Sequence, residues 1–136
     1  MCIRRIQQSE LQKCFSFWDF ENNVEKRKRI ECEIANNSRC MYAFVLNDQY
    51  IAGMSLSPVD PKTIYLSYLV VQEKWRNQGI GTKMIEYARQ ISKKEGFSYI
   101  VLRVDHNNTK AEKLYKKLGF VVSGNSRDRT DMKIVL

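Results

Sequence analysis

The residues best suited to chemistry lie between positions 69 and 82, where an apolar run gives way to an arginine and two glycines. The order Arg76-x-x-Gly79-x-Gly81 opens a stretch whose apolar residues keep helical spacing. The first turn of a helix has unpaired N–H groups and a partial positive charge, and glycines let the backbone approach a phosphate. The stretch therefore predicts an anion site of the kind that holds a phosphate.

Two other phosphate-binding motifs do not fit this spacing. A Walker loop needs Gly-x-x-x-x-Gly-Lys-Ser/Thr, and residues 79–82 read Gly-Ile-Gly-Thr, which lacks the length and the lysine. A dinucleotide fingerprint needs a third glycine, and Met84 occupies that position. Nucleotide binding of either type is therefore not expected.

A second motif lies downstream, where residues 108–120 read Asn-x-x-Ala-x-x-Leu-Tyr-x-x-x-Gly-Phe. Together the two motifs resemble the GCN5-related N-acetyltransferase (GNAT) family, whose acetyl-CoA signature is Arg/Gln-x-x-Gly-x-Gly/Ala. Their order and separation match that family, and an apolar strand is predicted between them. The resemblance covers about residues 41–123, and the two ends match only in general layout.

The resemblance implies one N-acetyltransferase domain over residues 1–136 with an α/β (α+β) fold. Its sheet is expected to be mixed and mainly antiparallel, with about six to seven strands and helices on both faces. Two neighbouring strands should splay at a bulge in the central strand, and the resulting cleft would accept acetyl-CoA as cosubstrate. A chain of 136 residues is long enough for one domain with a real core.

Cofactor contacts are carried over from the family position by position. The pantetheine arm is expected to lie along the freed strand edge, and main-chain N–H groups at the start of the helix should hold the pyrophosphate. The residues expected to bind the cofactor are Leu69, Val70, Val71, Arg76, Asn77, Gln78, Gly79, Ile80, Gly81, Thr82, Asn108 and Tyr115. For the strand residues a plain core role is the alternative, and for Asn108 the alternative is a helix cap.

Tyr115 is the expected catalytic residue, because a phenol can protonate the thiolate that leaves when an amine attacks a thioester. The alternative is that Tyr115 merely belongs to an apolar helix stripe. The base is unassigned, since Leu66-Ser67-Tyr68 carries no carboxylate where some family members have a glutamate. A water relay or an amine of lowered pKa would have to serve, and His106 is only a weak candidate.

The function that the resemblance implies is direct transfer of acetyl from acetyl-CoA to a primary amine in a ternary complex. The acceptor is not identified, although a small molecule is favoured over a protein. The alternative is a CoA-binding module with weak catalysis, or a basic nucleic-acid-binding protein, given the net charge of +8. Nucleic acid is the less favoured partner, because the basic residues are scattered rather than gathered in one arm.

Composition bounds the remaining possibilities. No apolar run approaches the roughly 20 residues of a membrane span, and no signal segment follows the first residues, so a cytoplasmic protein is expected. The spacing of the four cysteines and one histidine predicts no metal site, and the thiols are expected to be reduced and mostly buried. A homodimer is possible, with the final strand as a place for two copies to pair.

The order of elements follows from periodicity, caps and turns. Ser9 is predicted to cap a first helix with Gln12 at the capping-box position, and Pro58 and Pro61 are predicted to lie in a loop. The apolar face of that first helix is Leu11, Cys14, Phe15 and Trp18. Further helices are predicted over 24–36, from about 80 to 95 and over 109–118, and strands over 2–6, 41–46, 50–57, 64–71, 97–104, 120–123 and 132–136.

Overall fold

The computed structural model describes residues 2–14, 17–18, 20 and 22–136. The seven strands are β1 (Cys2–Arg5), β2 (Cys40–Leu46), β3 (Gln49–Asp60), β4 (Thr63–Val71), β5 (Tyr99–Asp105), β6 (Val121–Asn125) and β7 (Arg129–Val135). The α-helices are α1 (Val24–Ala35), α2 (Ile80–Lys94) and α3 (Thr109–Lys117), and two 3-10 helices span Gln8–Cys14 and Glu73–Trp75.

The strands form one sheet in the order β1-β2-β3-β4-β5-β7-β6. Only β4 and β5 run parallel, and every other neighbouring pair is antiparallel. The predicted fold of about six to seven strands in a mixed, mainly antiparallel sheet is therefore confirmed.

Helices cover both faces of the sheet, as predicted, because the central strands are apolar on both sides. On β2, Met41 and Ala43 pack with α1 and the first 3-10 helix, whereas Tyr42 and Phe44 point into the opposite core, which α2 and α3 cover. The buried residues of α2 include Ile80, Met84, Ile85 and Ala88. The sheet is thus held rigidly between two apolar layers.

The sheet divides where β4 meets β5. The two strands pair only through their first residues, Thr63 with Tyr99, Ile64 with Ile100 and Tyr65 with Val101. Beyond this point β4 keeps its ladder with β3 as far as Val71, but its other edge has lost its partner. This divergence is the splayed cleft that the fold class implied, because β4 and β5 have no paired residues beyond Tyr65 and Val101.

Two local predictions were wrong. Ser9 lies inside the first 3-10 helix, and the capping contact runs instead from the Gln7 amide to the Glu10 carboxylate at 2.9 Å. Pro58 lies within β3 rather than in a loop. It is tolerated there because β2 ends opposite Leu56, so Pro58 lies beyond the last residue that pairs with β2.

The final strand β7 pairs with β5 along its whole length and with β6 over residues 130–133, so only its last two residues have an edge without a neighbouring strand. Pairing of two copies through that strand would be limited to this short edge, and the homodimer stays a prediction. All four cysteines are free, but Cys2 and Cys32 are exposed, so the expectation of mostly buried thiols was wrong. Phe15, predicted on the first helix, lies outside the described residues. None of the described helices is long and apolar enough to cross a membrane.

Candidate functional site

A bulge in β4 creates the turning point of the cleft. Tyr68 has a φ of +54°, and the register of β4 against β3 shifts across it, from Ser55 opposite Ser67 to Gly53 opposite Val70. A tyrosine in this left-handed region is strained and needs outside support. The buried Trp18 indole supplies that support, because its Nε1–H donates to the Tyr68 carbonyl at 2.8 Å.

Gly53 lets Trp18 come this close. A methyl group at position 53 would lie 2.4 Å from Cζ2 of Trp18, so any side chain there would push the indole away. The bulge thus depends on a glycine in β3, an indole after the first 3-10 helix, and the carbonyl that they bring together. These groups are far apart in the chain and meet only in the fold.

The glycine loop places unpaired amides at the start of α2. Asn77 and Gly79 have φ values of +63° and +78°, which turn the chain sharply into the helix. The first helical hydrogen bond runs from the Lys83 amide to the Gly79 carbonyl at 3.1 Å. The amides of residues 80–82 precede that bond and have no acceptor within the helix, so they are available to an anion.

A cavity of about 590 Å³, here called the loop cavity, lies between the end of β4, the glycine loop and α3. It is lined by Leu69, Val70, Val71, Arg76, Asn77, Gly79, Ile80, Gly81, Thr82, Asn108, Lys110, Ala111, Leu114 and Tyr115. All of the predicted cofactor residues except Gln78 are in this set. The Gln78 side chain does not line the cavity and instead donates to the Lys74 carbonyl at 3.3 Å.

The sequence did not single out Lys110 as a site residue. Its Nζ donates to Oδ1 of Asn77 at 2.7 Å and so ties the first turn of α3 to the glycine loop. Arg76 also contributes a cation, and its Nε donates to the Val71 carbonyl at 2.9 Å. The lining of the loop cavity contains these cations and no acidic side chain, which suits an anionic ligand. In the sequence Lys110 lies two residues after Asn108, and this position in the first turn of a helix beside the predicted site could have identified it as a site residue.

Helix α3 is capped by Asn108 and presents Tyr115 to the cleft. The Asn108 side chain accepts from the Ala111 amide at 3.2 Å, so the predicted cap is present. The Tyr115 ring packs edge-on against Phe120, with centroids 5.8 Å apart. Burial raises the pKa of the Tyr115 phenol, so the group keeps its proton at neutral pH.

A second cavity of about 420 Å³, here called the strand cavity, lies between the splayed ends of β4 and β5. It shares Leu69, Asn108, Ala111 and Tyr115 with the loop cavity. The two cavities therefore form one cleft, and Tyr115 lies where they meet. A ligand in the loop cavity and another in the strand cavity would both reach the Tyr115 side chain.

No unpaired carboxylate lines this cleft among the described residues. Asp105 lines the strand cavity, but its Oδ1 is paired with Nε of Arg129 at 3.3 Å. Glu73 and His106 are exposed, and neither lines either cavity. The described part of the chain also has no cluster of three His, Cys, Asp or Glu side chains that could hold a metal ion.

A known protein family and several curated proteins are similar to this chain. Residues 3–120 match the profile of the Acetyltransferase (GNAT) family. The chain is 25% identical to N-alpha-acetyltransferase 30 of Schizosaccharomyces pombe over 118 residues, which are 87% of this chain and 75% of that protein. It is 40% identical to the mouse thialysine N-epsilon-acetyltransferase over 58 residues, which are 43% of this chain and only 34% of that protein.

Solved structures share the fold over nearly the whole chain. The PaiA N-acetyltransferase of Thermoplasma acidophilum, in complex with coenzyme A, superposes with a TM-score of 0.85 at 17% identity, covering 99% of this chain and 98% of the other. A chimera of the Vibrio cholerae spermidine N-acetyltransferase SpeG and hSSAT superposes with a TM-score of 0.83 at 18% identity, covering 99% and 96%. At these identities the likeness establishes the fold.

Proposed function

The chain belongs to the acetyltransferase (GNAT) family, whose acetyl donor is acetyl-CoA, and on that premise we propose that it acetylates a primary amine. The reaction is direct attack of the amine on acetyl-CoA in a ternary complex, carried by one domain over residues 1–136. A small-molecule acceptor is favoured, since relatives and structural neighbours include enzymes named for thialysine and spermidine. The observation that carries the proposal is the position of Tyr115 at the junction of the two cavities.

The loop cavity is the proposed acetyl-CoA site. The amides of residues 80–82 would hold the diphosphate, with Arg76 and Lys110 adding positive charge beside it. The pantetheine arm would run along the free edge of β4 past Leu69 and Val71 towards the bulge. This path delivers the thioester from the phosphate end of the cleft to Tyr115.

Catalysis requires a proton to reach the leaving sulfur and another to leave the amine nitrogen. The amine nitrogen attacks the acetyl carbonyl carbon and forms the new N–C bond, giving a tetrahedral intermediate. As the intermediate collapses the C–S bond breaks, and the Tyr115 hydroxyl gives its proton to the departing sulfur. The proton lost by the nitrogen passes to water, and solvent reprotonates the phenolate. A phenol that keeps its proton at neutral pH is suited to this role.

The base is a water molecule rather than a side chain in this proposal. Ser67 occupies the β4 position before the bulge, and Asp105 across the cleft is engaged by Arg129. The acceptor must therefore be deprotonated by solvent, or bind with its pKa lowered by burial. Turnover should rise with pH until the amine in the complex is fully neutral.

Turnover is measured as release of the CoA thiol with acetyl-CoA and a panel of amines. Tyr115→Phe should lower kcat by about 100-fold or more while changing acetyl-CoA affinity little, because the variant removes only the acidic hydroxyl. Tyr87→Phe is the control, since that tyrosine lies outside both cavities and packs against Tyr42. An unchanged kcat in Tyr115→Phe would remove the phenol from the mechanism.

Calorimetric titration with acetyl-CoA tests the phosphate site. Gly79→Asp should abolish binding, because it brings a negative charge to the helix start. Gly79→Asn is the matched control: asparagine tolerates the left-handed backbone and adds no charge, so most of the affinity should remain. Binding without turnover of any amine would favour the alternative of a CoA-binding module. Weak acetyl-CoA binding with salt-steep DNA or RNA binding would favour a nucleic-acid-binding protein.

A further inference from the structure

The wall of the strand cavity nearest the bulge carries two cations held on one aromatic ring. The Lys26 ammonium lies 4.8 Å from the centroid of the Tyr68 ring, and the Arg39 guanidinium carbon lies 5.5 Å from the same centroid. All three side chains line the cavity. Such cation–ring contacts fix the position of a charge without neutralising it, so both cations remain able to bind an anion.

Arg39 is held rigidly beneath the strands. Its Nη1 donates to Ser55 Oγ at 2.7 Å and Ser67 Oγ at 3.4 Å, the two residues paired across β3 and β4. Its Nη2 lies 3.4 Å from Oε2 of Glu33, its side chain is only 12% exposed, and its buried Nε has no hydrogen-bond partner. Because Nε is buried, an anion in the cavity would meet the terminal N–H groups of the Arg39 guanidinium.

The charges around this wall leave it positive. Glu33 is shared between Arg39 and Arg29, whose Nε lies 3.6 Å away, so one carboxylate faces two guanidinium groups. Among the described residues Lys26 has no carboxylate partner. An acceptor with several cationic amines would therefore meet repulsion at this wall.

We propose that the strand cavity selects an acceptor amine that also carries a carboxylate a few bonds from the nitrogen, as amino acids do. Lys26 and Arg39 bind the carboxylate beside Tyr68, and the amine then points along β4 towards Tyr115. This inference rests on the proposed acetyl transfer and narrows its acceptor. It sets this chain apart from acetyltransferases for polyamines, whose substrates have no anionic group for the two cations to bind.

The test compares acceptors that differ only in the anionic group. Lysine is paired with cadaverine, ornithine with putrescine, and β-alanine with β-alaninamide, and CoA thiol release is followed for each. In each pair the acceptor that carries the carboxylate should have a kcat/KM about tenfold higher. The difference should lie mainly in KM, because hydrogen bonds to the charged group contribute to binding. Aminomethylphosphonate carries a phosphonate in place of a carboxylate, and its turnover, measured in parallel, shows whether the site recognises a carboxylate or any anion.

Variants assign the preference to the cations. Lys26→Gln should remove most of the preference for the carboxylate, because KM for lysine should rise while the repulsion of cadaverine is reduced, and Lys26→Arg should restore the preference. Lys28→Gln is the control, because Lys28 is exposed on the same helix and does not line the cavity. Arg39→Lys keeps the buried charge, so a folded variant with weakened carboxylate preference supports a role for the guanidinium.

The outcomes separate this inference from the proposed function. Efficient acetylation of cadaverine or putrescine with no carboxylate preference would overturn the inference and leave acetyl transfer standing. An equal preference in wild type and Lys26→Gln would also overturn it. If no amine in the panel is acetylated, the proposed transfer fails, and calorimetry of lysine into the CoA-bound protein decides the inference. Absence of binding there overturns it, and binding that Lys26→Gln weakens supports it.

Discussion

Replacing the Trp18 indole tests the site indirectly, because Trp18 lines neither cavity but supports the bulge in β4. Trp18 is 2% exposed, and its N–H supplies the hydrogen bond that holds the Tyr68 carbonyl at the bulge. Trp18→Phe removes this donor, and the unsatisfied carbonyl costs about 1 to 3 kcal/mol. The space left by the smaller ring adds about 1 kcal/mol. We expect a loss of about 3 kcal/mol in the free energy of unfolding, read from the urea midpoint at constant slope.

Trp75→Phe is the matched control within the same chain. Trp75 is half-buried, and among the described residues its buried indole nitrogen has no hydrogen-bond partner. Its replacement removes an unsatisfied donor, so the free energy of unfolding should change by less than about 1 kcal/mol. The bulge should also loosen only in Trp18→Phe, which lowers kcat there and not in the control. Equal losses of stability in the two variants would refute the role given to the Trp18 hydrogen bond.

Three further predictions concern the bulge, the N-terminal ion pair and the phenol. Gly53→Ala should destabilise the fold by about 1 to 3 kcal/mol, because its methyl would overlap Trp18. Gly124→Ala is the control and should destabilise it less, because its methyl meets only the Asp131 side chain at 3.3 Å. Equal urea midpoints in the two variants would contradict this prediction. Burial opposes ionisation of Glu10, but hydrogen bonds from Arg4, Tyr50 and the Gln7 amide outweigh it and lower its pKa from 4.5 to about 2. The stability that the ionised Glu10 contributes is therefore present above about pH 4.5 and lost as the pH falls towards 2. Between about pH 7 and pH 2.5 the free energy of unfolding should fall by about 1 to 2 kcal/mol more in wild type than in Glu10→Gln. Equal falls in the two proteins, measured by urea titration, would show that the carboxylate contributes nothing. Burial raises the pKa of Tyr115 above its ordinary value of 10, so loss of this proton should lower kcat only above pH 10. That alkaline fall in kcat should be missing in Tyr115→Phe. A fall that begins well below pH 10 would come from another group.

The order of elements was predictable because it depends on local signals. Alternating and continuous apolar runs predicted the strands, and glycines with positive φ at 79, 96 and 119 lie at the boundaries of the predicted helices. The turn at Asn47 and Asp48 has the two positive φ values that its residue types predict. The residues of the glycine loop line one cavity because they form a contiguous motif, and their binding of acetyl-CoA stays a prediction.

The contacts that shape the cleft were not predictable from local pattern. Trp18 meets Tyr68 fifty positions along the chain, and Lys110 meets Asn77 thirty-three positions away. Nothing in the spacing of an apolar stripe shows which indole will reach which carbonyl. The Glu10 cap was missed for the same reason, because its carboxylate also binds Arg4 and Tyr50 from two strands. Gln78 belongs to the motif by position, yet the loop turns its side chain away.

The crystal structure of the protein with acetyl-CoA tests the central claim most directly. The account predicts the diphosphate within hydrogen-bond distance of the amides of residues 80–82, and the thioester sulfur within reach of the Tyr115 hydroxyl. A diphosphate bound elsewhere, or a thioester that lies away from the Tyr115 ring, would contradict it.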